Sequence, residues 1–81
     1  MKVTVYKKSG CPWAASVIGF LNELNVPFET KNVSTHPEYK AEIEKLSGQS
    51  KSPTLVIDGD IIPDAGVDDV AHYLEKRGLE L

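Results

Sequence analysis

A strand-like run that passes straight into a helix most constrains this chain. Val3-Thr4-Val5-Tyr6 is short, β-branched and aromatic, the signature of a buried strand. Ser9-Gly10 reads as a turn, and Pro12 suits a first helical position. From Pro12 to about Leu24 the apolar residues Trp13, Val17, Phe20, Leu21 and Leu24 recur at helical spacing. The same alternation continues. Pro27 to Val33 carries a second strand anchored by Phe28 and Val33. Ser34-Thr35-His36-Pro37-Glu38 starts a helix with a Ser/Thr cap and runs to about Leu46, stopping at Ser47-Gly48. Pro53 to Ile57 is a third strand, and Asp58-Gly59 is a hairpin dipeptide leading to a fourth around Ile61-Ile62. Gly66-Val67-Asp68-Asp69 opens a last helix with Val70, Tyr73 and Leu74, ending near Arg77-Gly78. The order is β-α-β-α-β-β-α. A right-handed crossover makes the first two strands parallel, and the hairpin makes the last two antiparallel. The expected fold is α/β, a mixed four-stranded sheet flanked by three helices.

Eighty-one residues allow one small domain, residues 1–81. A net charge of −3 offers no basic stripe to neutralise phosphates, so no nucleic-acid partner is expected. No apolar run approaches the ~20 residues needed to cross a bilayer, and no membrane partner is expected. Nothing at the N-terminus reads as a signal sequence, so the expected compartment is a reducing cytoplasm. A single cysteine makes no internal disulfide, and the fold must hold by packing.

That cysteine, Cys11, falls between the first strand and its helix. A thiol at a helix N-terminus meets unpaired backbone N–H groups and the positive end of the helix dipole. Both favour the thiolate, and the pKa at such sites falls to roughly 3.5–7.5 from about 8.5. Lys7 and Lys8 add positive charge. The thiolate is the nucleophile of disulfide exchange, and a polar Ser-Gly turn is a poor place for a merely buried cysteine.

With these residues in hand, the chain resembles a glutaredoxin, of thioredoxin-like fold, from end to end. The matching elements are Cys11-Pro12-Trp13, Leu46-Ser47-Gly48, Ser52-Pro53-Thr54, Ile57-Asp58-Gly59 and Gly66-Val67-Asp68-Asp69. Ala14 departs from the pattern, standing where C-P-W-C or C-P-Y-C members have a second, resolving cysteine. Two accounts remain open. The single thiol is native, or a resolving cysteine has been replaced.

The resemblance implies a glutathione-dependent thiol–disulfide oxidoreductase with Cys11 as nucleophile and glutathione as co-substrate. Its partners would be glutathionylated proteins or disulfides. It also implies a glutathione groove made by Lys8, Trp13, Lys51, Ser52, Pro53, Gly66, Val67 and Asp68. Lys8 would lower the thiol pKa and meet a carboxylate, and Trp13 would lie partly exposed beside the thiol. Pro53 would follow a cis bond, with the Ser52 backbone, more than its side chain, pairing with the tripeptide. The last helix would hold the γ-glutamyl carboxylate, with Asp68 and Asp69 near the ammonium. Ala65 replaces a usual glycine, and Ser50 replaces a usual arginine, leaving Lys8 with Lys40 or Lys51 for the glycine carboxylate. His36 and His72 stand apart, and no metal is expected. A monomer is expected, with an intermolecular Cys11 disulfide on oxidation. Two rivals come from other classes. One is an iron–sulfur carrier, against which Pro12 counts because it stiffens the turn and lacks an N–H. The other is a redox-inert module that binds glutathione or a peptide.

Overall fold

A computed structural model describes residues 1–79. Its elements are β1 (Val3–Lys7), α1 (Pro12–Glu23), β2 (Glu29–Asn32), α2 (Pro37–Ser47), β3 (Thr54–Ile57), β4 (Asp60–Ile62) and α3 (Val67–Lys76). The sheet order is β2-β1-β3-β4. β1 runs parallel to β2 and antiparallel to β3, which pairs antiparallel with β4. This is the thioredoxin-like arrangement read from the sequence: a mixed four-stranded sheet with three helices.

β1 is one of two inner strands, and both layers rest on it because successive side chains point to opposite faces. Val3 and Val5 join Val17 and Leu21 of α1, Leu55 and Ile57 of β3, and Val70 and Leu74 of α3 in the larger core. Tyr6 belongs instead to a smaller cluster with Val33 and Ile43, against which Tyr39 and Val56 pack. A strand buried on both faces reads as an unbroken apolar and β-branched run, which is how Val3 to Tyr6 reads.

The element boundaries differ from the sequence reading in three places. β2 is shorter than Pro27–Val33 and keeps only four polar residues, with Phe28 and Val33 flanking it as packing anchors. The N-cap of α2 is His36, with no side-chain cap bond, rather than Ser34 or Thr35. Both hydroxyls are engaged elsewhere: Ser34 Oγ accepts the N–H of Ser9 at 3.0 Å, and Thr35 Oγ1 pairs with His36 Nδ1 at 2.8 Å. Asn32 Oδ1 accepts the N–H groups of both residues, at 2.8 and 3.2 Å. Trp13 also leaves the apolar stripe of α1, whose buried residues are Ala14, Val17 and Leu21. At the far end of α2, Gly48 takes the left-handed conformation (φ 75°) and its N–H reaches Glu44 C=O at 2.8 Å.

Polar ties hold the periphery. Arg77 donates to Asp58 at 2.7 Å and to the Tyr73 hydroxyl at 2.7 Å, while that hydroxyl donates to Asp60 at 2.6 Å. Lys2 N–H also donates to Asp58, at 2.7 Å. The end of α3 is thereby bound to the β3–β4 hairpin and to the start of β1. On the opposite face Lys31 pairs with Glu42 at 2.7 Å, and the Tyr6 hydroxyl donates to the same carboxylate. No described helix is long and apolar enough to cross a membrane.

Leu21 is fully buried between α1 and the sheet. Leu21→Ala is expected to cost about 2–5 kcal/mol by leaving a cavity. Urea unfolding at neutral pH measures it, and a loss under about 1 kcal/mol would mean that α1 does not depend on this contact.

Candidate active site

The site forms where three chain segments meet at one end of the sheet. The first is the β1–α1 turn. Cys11 is the N-cap of α1, with extended backbone (φ −82°, ψ 112°), and its carbonyl accepts the N–H of Ala15 at 3.2 Å. The first turn of α1 therefore aims its free N–H groups toward the Cys11 side chain. The half-buried thiol donates to the carbonyl of Ser52 at 3.7 Å. Partial burial opposes ionisation. It is outweighed by a hydrogen bond from the Ser52 side chain, by the backbone N–H groups of Ala14 and Trp13, and by the charge of Lys8, so the Cys11 pKa lies below its ordinary value. The helix N–H groups and Lys8 are the causes anticipated from the sequence. The Ser52 side chain is an addition.

The second segment is the loop before β3, where the Ser52–Pro53 peptide bond is cis. Gln49 and Thr54 shape this loop. Gln49 donates to Ser47 Oγ at 3.0 Å and to Thr54 Oγ1 at 3.2 Å. The Thr54 hydroxyl donates to the Lys51 carbonyl at 2.6 Å, and Lys51 N–H donates back to the Gln49 side chain. The loop is fastened to the first segment by Lys8 N–H, which donates to Ser52 Oγ at 3.0 Å.

The third segment leads into α3. Ala65, almost fully buried, donates its N–H to the Pro53 carbonyl at 2.8 Å, which docks the start of α3 beside the cis bond. Gly66 is the N-cap, and its N–H is held by the Asp69 carboxylate at 2.9 Å. Asp69 thereby caps the start of α3. Val67 and Asp68 keep the open N–H donors of the first turn.

Two clefts lie at this end of the molecule. One, of about 410 Å³, is lined by Trp13, Ser16, Gly66, Val67, Asp68 and Asp69. The other, of about 480 Å³, is lined by Lys8, Val33, Ser34, Pro37 and Lys40. Trp13 is 68% exposed, so its face is open to a bound molecule. The first cleft is acidic at its α3 wall and the second carries two lysines. Cys11, Trp13, Ser52, Pro53, Gly66, Val67, Asp68 and Lys8 therefore converge, with Ala14 buried behind the thiol. Lys51 is exposed and lines neither cleft; Lys40 is the second lysine of the cationic one. His36 caps α2 and contacts Thr35 and Tyr39, while His72 lies within α3. Among the described residues no group of three or more His, Cys, Asp or Glu is placed to hold a metal ion.

Sequence reasoning missed the support of the Ser9-Gly10 turn. Ser9 N–H donates to Ser34 Oγ and Asn32 Nδ2 donates to Ser9 Oγ, both at 3.0 Å. The Asn32-Val33-Ser34 pattern carries the signal, since Asn side chains fold back on nearby N–H groups. It also missed Gln49 and Ser16, for which no local pattern exists.

The glutaredoxin family profile matches residues 3–62. A glutaredoxin-like 8.6 kDa protein of the rubredoxin operon of Clostridium pasteurianum is 30% identical over 74 residues, covering 91% of this chain and 99% of that one. A probable monothiol glutaredoxin 2 of Rickettsia felis is 34% identical over 68 residues, covering 84% of this chain and 62% of that protein. The fold also superposes on a buckwheat glutaredoxin–glutathione complex with a TM-score of 0.72 at 20% identity, covering 93% of this chain and 69% of that one. Fold and site define a thioredoxin-like protein with a single thiol at a helix N-terminus. The chain belongs to the glutaredoxin family.

The lowered thiol pKa has a consequence for stability. Because the folded state holds its proton less tightly than the unfolded chain, the reduced protein is expected to gain stability as pH rises from the folded-state pKa toward the unfolded value, about 8.5. Stability is lost again as pH falls through the folded-state pKa. Denaturant unfolding across this window, compared with Cys11→Ala, measures the difference. Parallel pH profiles for the two proteins would contradict a stabilised thiolate.

Proposed function

We propose that the protein is a glutathione-dependent thiol–disulfide oxidoreductase working by a single-thiol route. The observation that carries this reading is the position of Cys11, at the N-terminus of α1 and 3.7 Å from the carbonyl of Ser52, the residue before the cis proline. The Cys11 thiolate attacks the glutathione sulfur of a glutathionylated substrate. The substrate's sulfur–sulfur bond breaks, its electron pair leaves with the substrate thiolate, and a Cys11–glutathione disulfide remains. The thiolate of a second glutathione then attacks the glutathione sulfur of that adduct. Oxidised glutathione leaves and the Cys11 thiolate returns.

The two clefts suit the two ends of the tripeptide. Lys8 and Lys40 match the glycine carboxylate, taking the part of the arginine that Ser50 replaces. The open N–H groups of Val67 and Asp68 suit the γ-glutamyl carboxylate, and the Asp68 carboxylate suits its ammonium. Trp13 offers an apolar face between them. The Ser52 backbone is available for strand-like pairing with the cysteinyl residue. A reducing cytoplasm suits this route, since its thiol pool regenerates the Cys11 thiolate.

Ala14 makes the adduct long-lived, because no neighbouring thiol can resolve it. Incubation with oxidised glutathione is expected to add one tripeptide per chain, removable by excess reductant, as read by intact mass. In Ala14→Cys the adduct is expected to convert to an internal disulfide, since side chains one turn apart share a helix face. A chain that takes up no glutathione, while its thiol still alkylates, would overturn the glutathione reading. It would leave a protein disulfide as the substrate class.

A further inference from the structure

We propose that Asn32 is a positioning residue for substrate recognition. It holds the Lys8 wall of the cationic cleft against the Lys40 wall, and so sets the preference for a disulfide that bears a carboxylate. Asn32 itself lines neither cleft, and its role rests on the glutathione reading of the site. Three hydrogen bonds close a ring. Asn32 Oδ1 accepts the N–H of Ser34 at 2.8 Å, Ser34 Oγ accepts the N–H of Ser9 at 3.0 Å, and Asn32 Nδ2 donates to Ser9 Oγ at 3.0 Å. Oδ1 also accepts the N–H of Thr35 at 3.2 Å, so two backbone donors fix which way the amide points.

The ring joins the segments that carry the two lysines. Ser9 follows Lys8 in the turn that leads to Cys11, and Gly10 after it takes the left-handed conformation (φ 72°). Ser34 lines the cationic cleft together with Pro37 and Lys40 of α2. Asn32 reaches that helix through its own backbone as well, since its carbonyl accepts the N–H of His36, the N-cap of α2, at 3.1 Å. One residue therefore grips the turn with its side chain and the start of α2 with its main chain. The β1–β2 pairing stops at Lys7 and Asn32, and the ring carries the link onward from there. Cys11 is placed differently. It is the N-cap of α1, which is packed on the core through Val17 and Leu21, so the thiol keeps its helix N–H groups whether or not the ring is closed. The ring bears on what the thiol meets, and not on how readily it ionises.

The test compares the parent with Asn32→Ala, Ser9→Ala and Ser9→Thr. Each reduced protein is mixed with oxidised glutathione or with its glycyl ethyl diester, which lacks the glycine carboxylates, and adduct formation is followed by intact mass. The parent is expected to prefer the acid by about two- to fivefold, the range of an exposed ion pair. That preference is expected to fall towards one in Asn32→Ala and Ser9→Ala, and to return in Ser9→Thr, whose hydroxyl closes the ring again. Alkylation by iodoacetamide against pH is expected to give all four proteins one midpoint, since the α1 N–H groups act on the thiol more strongly than Lys8 does. A parent with no preference, or a preference unchanged in both alanine variants, overturns the role of Asn32, even where stability to urea has dropped. So does a preference that Ser9→Thr fails to restore. A midpoint that rises as the preference is lost would place the ring on the nucleophile, and that also overturns it. A parent that takes up neither disulfide, while its thiol still alkylates, overturns the glutathione reading instead. The ring is then judged by dithiobisnitrobenzoate, which carries carboxylates, against neutral dithiodipyridine, with the same pattern expected across the four proteins and the same outcomes overturning it.

Discussion

The antiparallel pairing of β1 with β3 underlies everything at the functional end of the molecule. Its register sets Tyr6 against Thr54 and Val5 against Leu55. Carried two residues further, beyond the last ladder pair, the same alignment brings Lys8 to Ser52. There the backbone N–H of Lys8 meets a side-chain oxygen instead of a carbonyl. Two loops that are about forty residues apart in sequence are thereby held together, one ending in Cys11 and the other in the cis Ser52–Pro53 bond. A one-residue slip would turn every buried side chain of β1 to the wrong face, so the core enforces the register. The site inherits its precision from Val3, Val5, Leu55 and Ile57, none of which lines either cleft.

The helices add direction to that juxtaposition. α1 is packed through Val17 and Leu21, which fixes its axis and points its first turn at the thiol. α3 is amphipathic, with Val70 and Leu74 buried. Its start is fastened by the Ala65–Pro53 hydrogen bond and its end by Arg77. The result is a thiol facing the N–H donors of the first turn of α1, with the start of α3 docked on the same loop as its Ser52 contact. α2 plays a different part. It covers only the Tyr6–Val33–Ile43 side of the sheet, and through Pro37 and Lys40 it closes the cationic cleft.

Polar side chains near the site act mainly by holding backbone. Asn32 and Ser34 brace the turn before Cys11, Gln49 and Thr54 brace the loop before Pro53, and Asp69 caps the N–H of Gly66. Each bond is exposed or half-buried and contributes only about 1 kcal/mol net. Together they limit how far the three segments can drift apart. The Lys31–Glu42 pair performs the same service on the α2 face, where the Lys31 ammonium and the Tyr6 hydroxyl hold the Glu42 carboxyl below the usual carboxylate range.

The sequence by itself determined the order and type of the elements, because each carries its own periodicity and its own stop: Ser9-Gly10 before α1, Gly48 after α2, Asp58-Gly59 within the hairpin. It also determined the thiol at a helix start, since Cys11-Pro12 is a local arrangement. Boundaries set by side-chain competition were not legible. The Ser34 hydroxyl went to Ser9 and that of Thr35 to His36 instead of capping α2, and Asp69 took the Gly66 N–H. Only the tertiary structure decided which lysines reach the thiol's surroundings, drawing Lys8 and Lys40 to one cleft and leaving Lys51 outside both. Only the tertiary structure gave the Ser52 side chain a partner. A hydrogen bond across a sheet depends on register and on the path of two loops, and neither is written in the residues that make it.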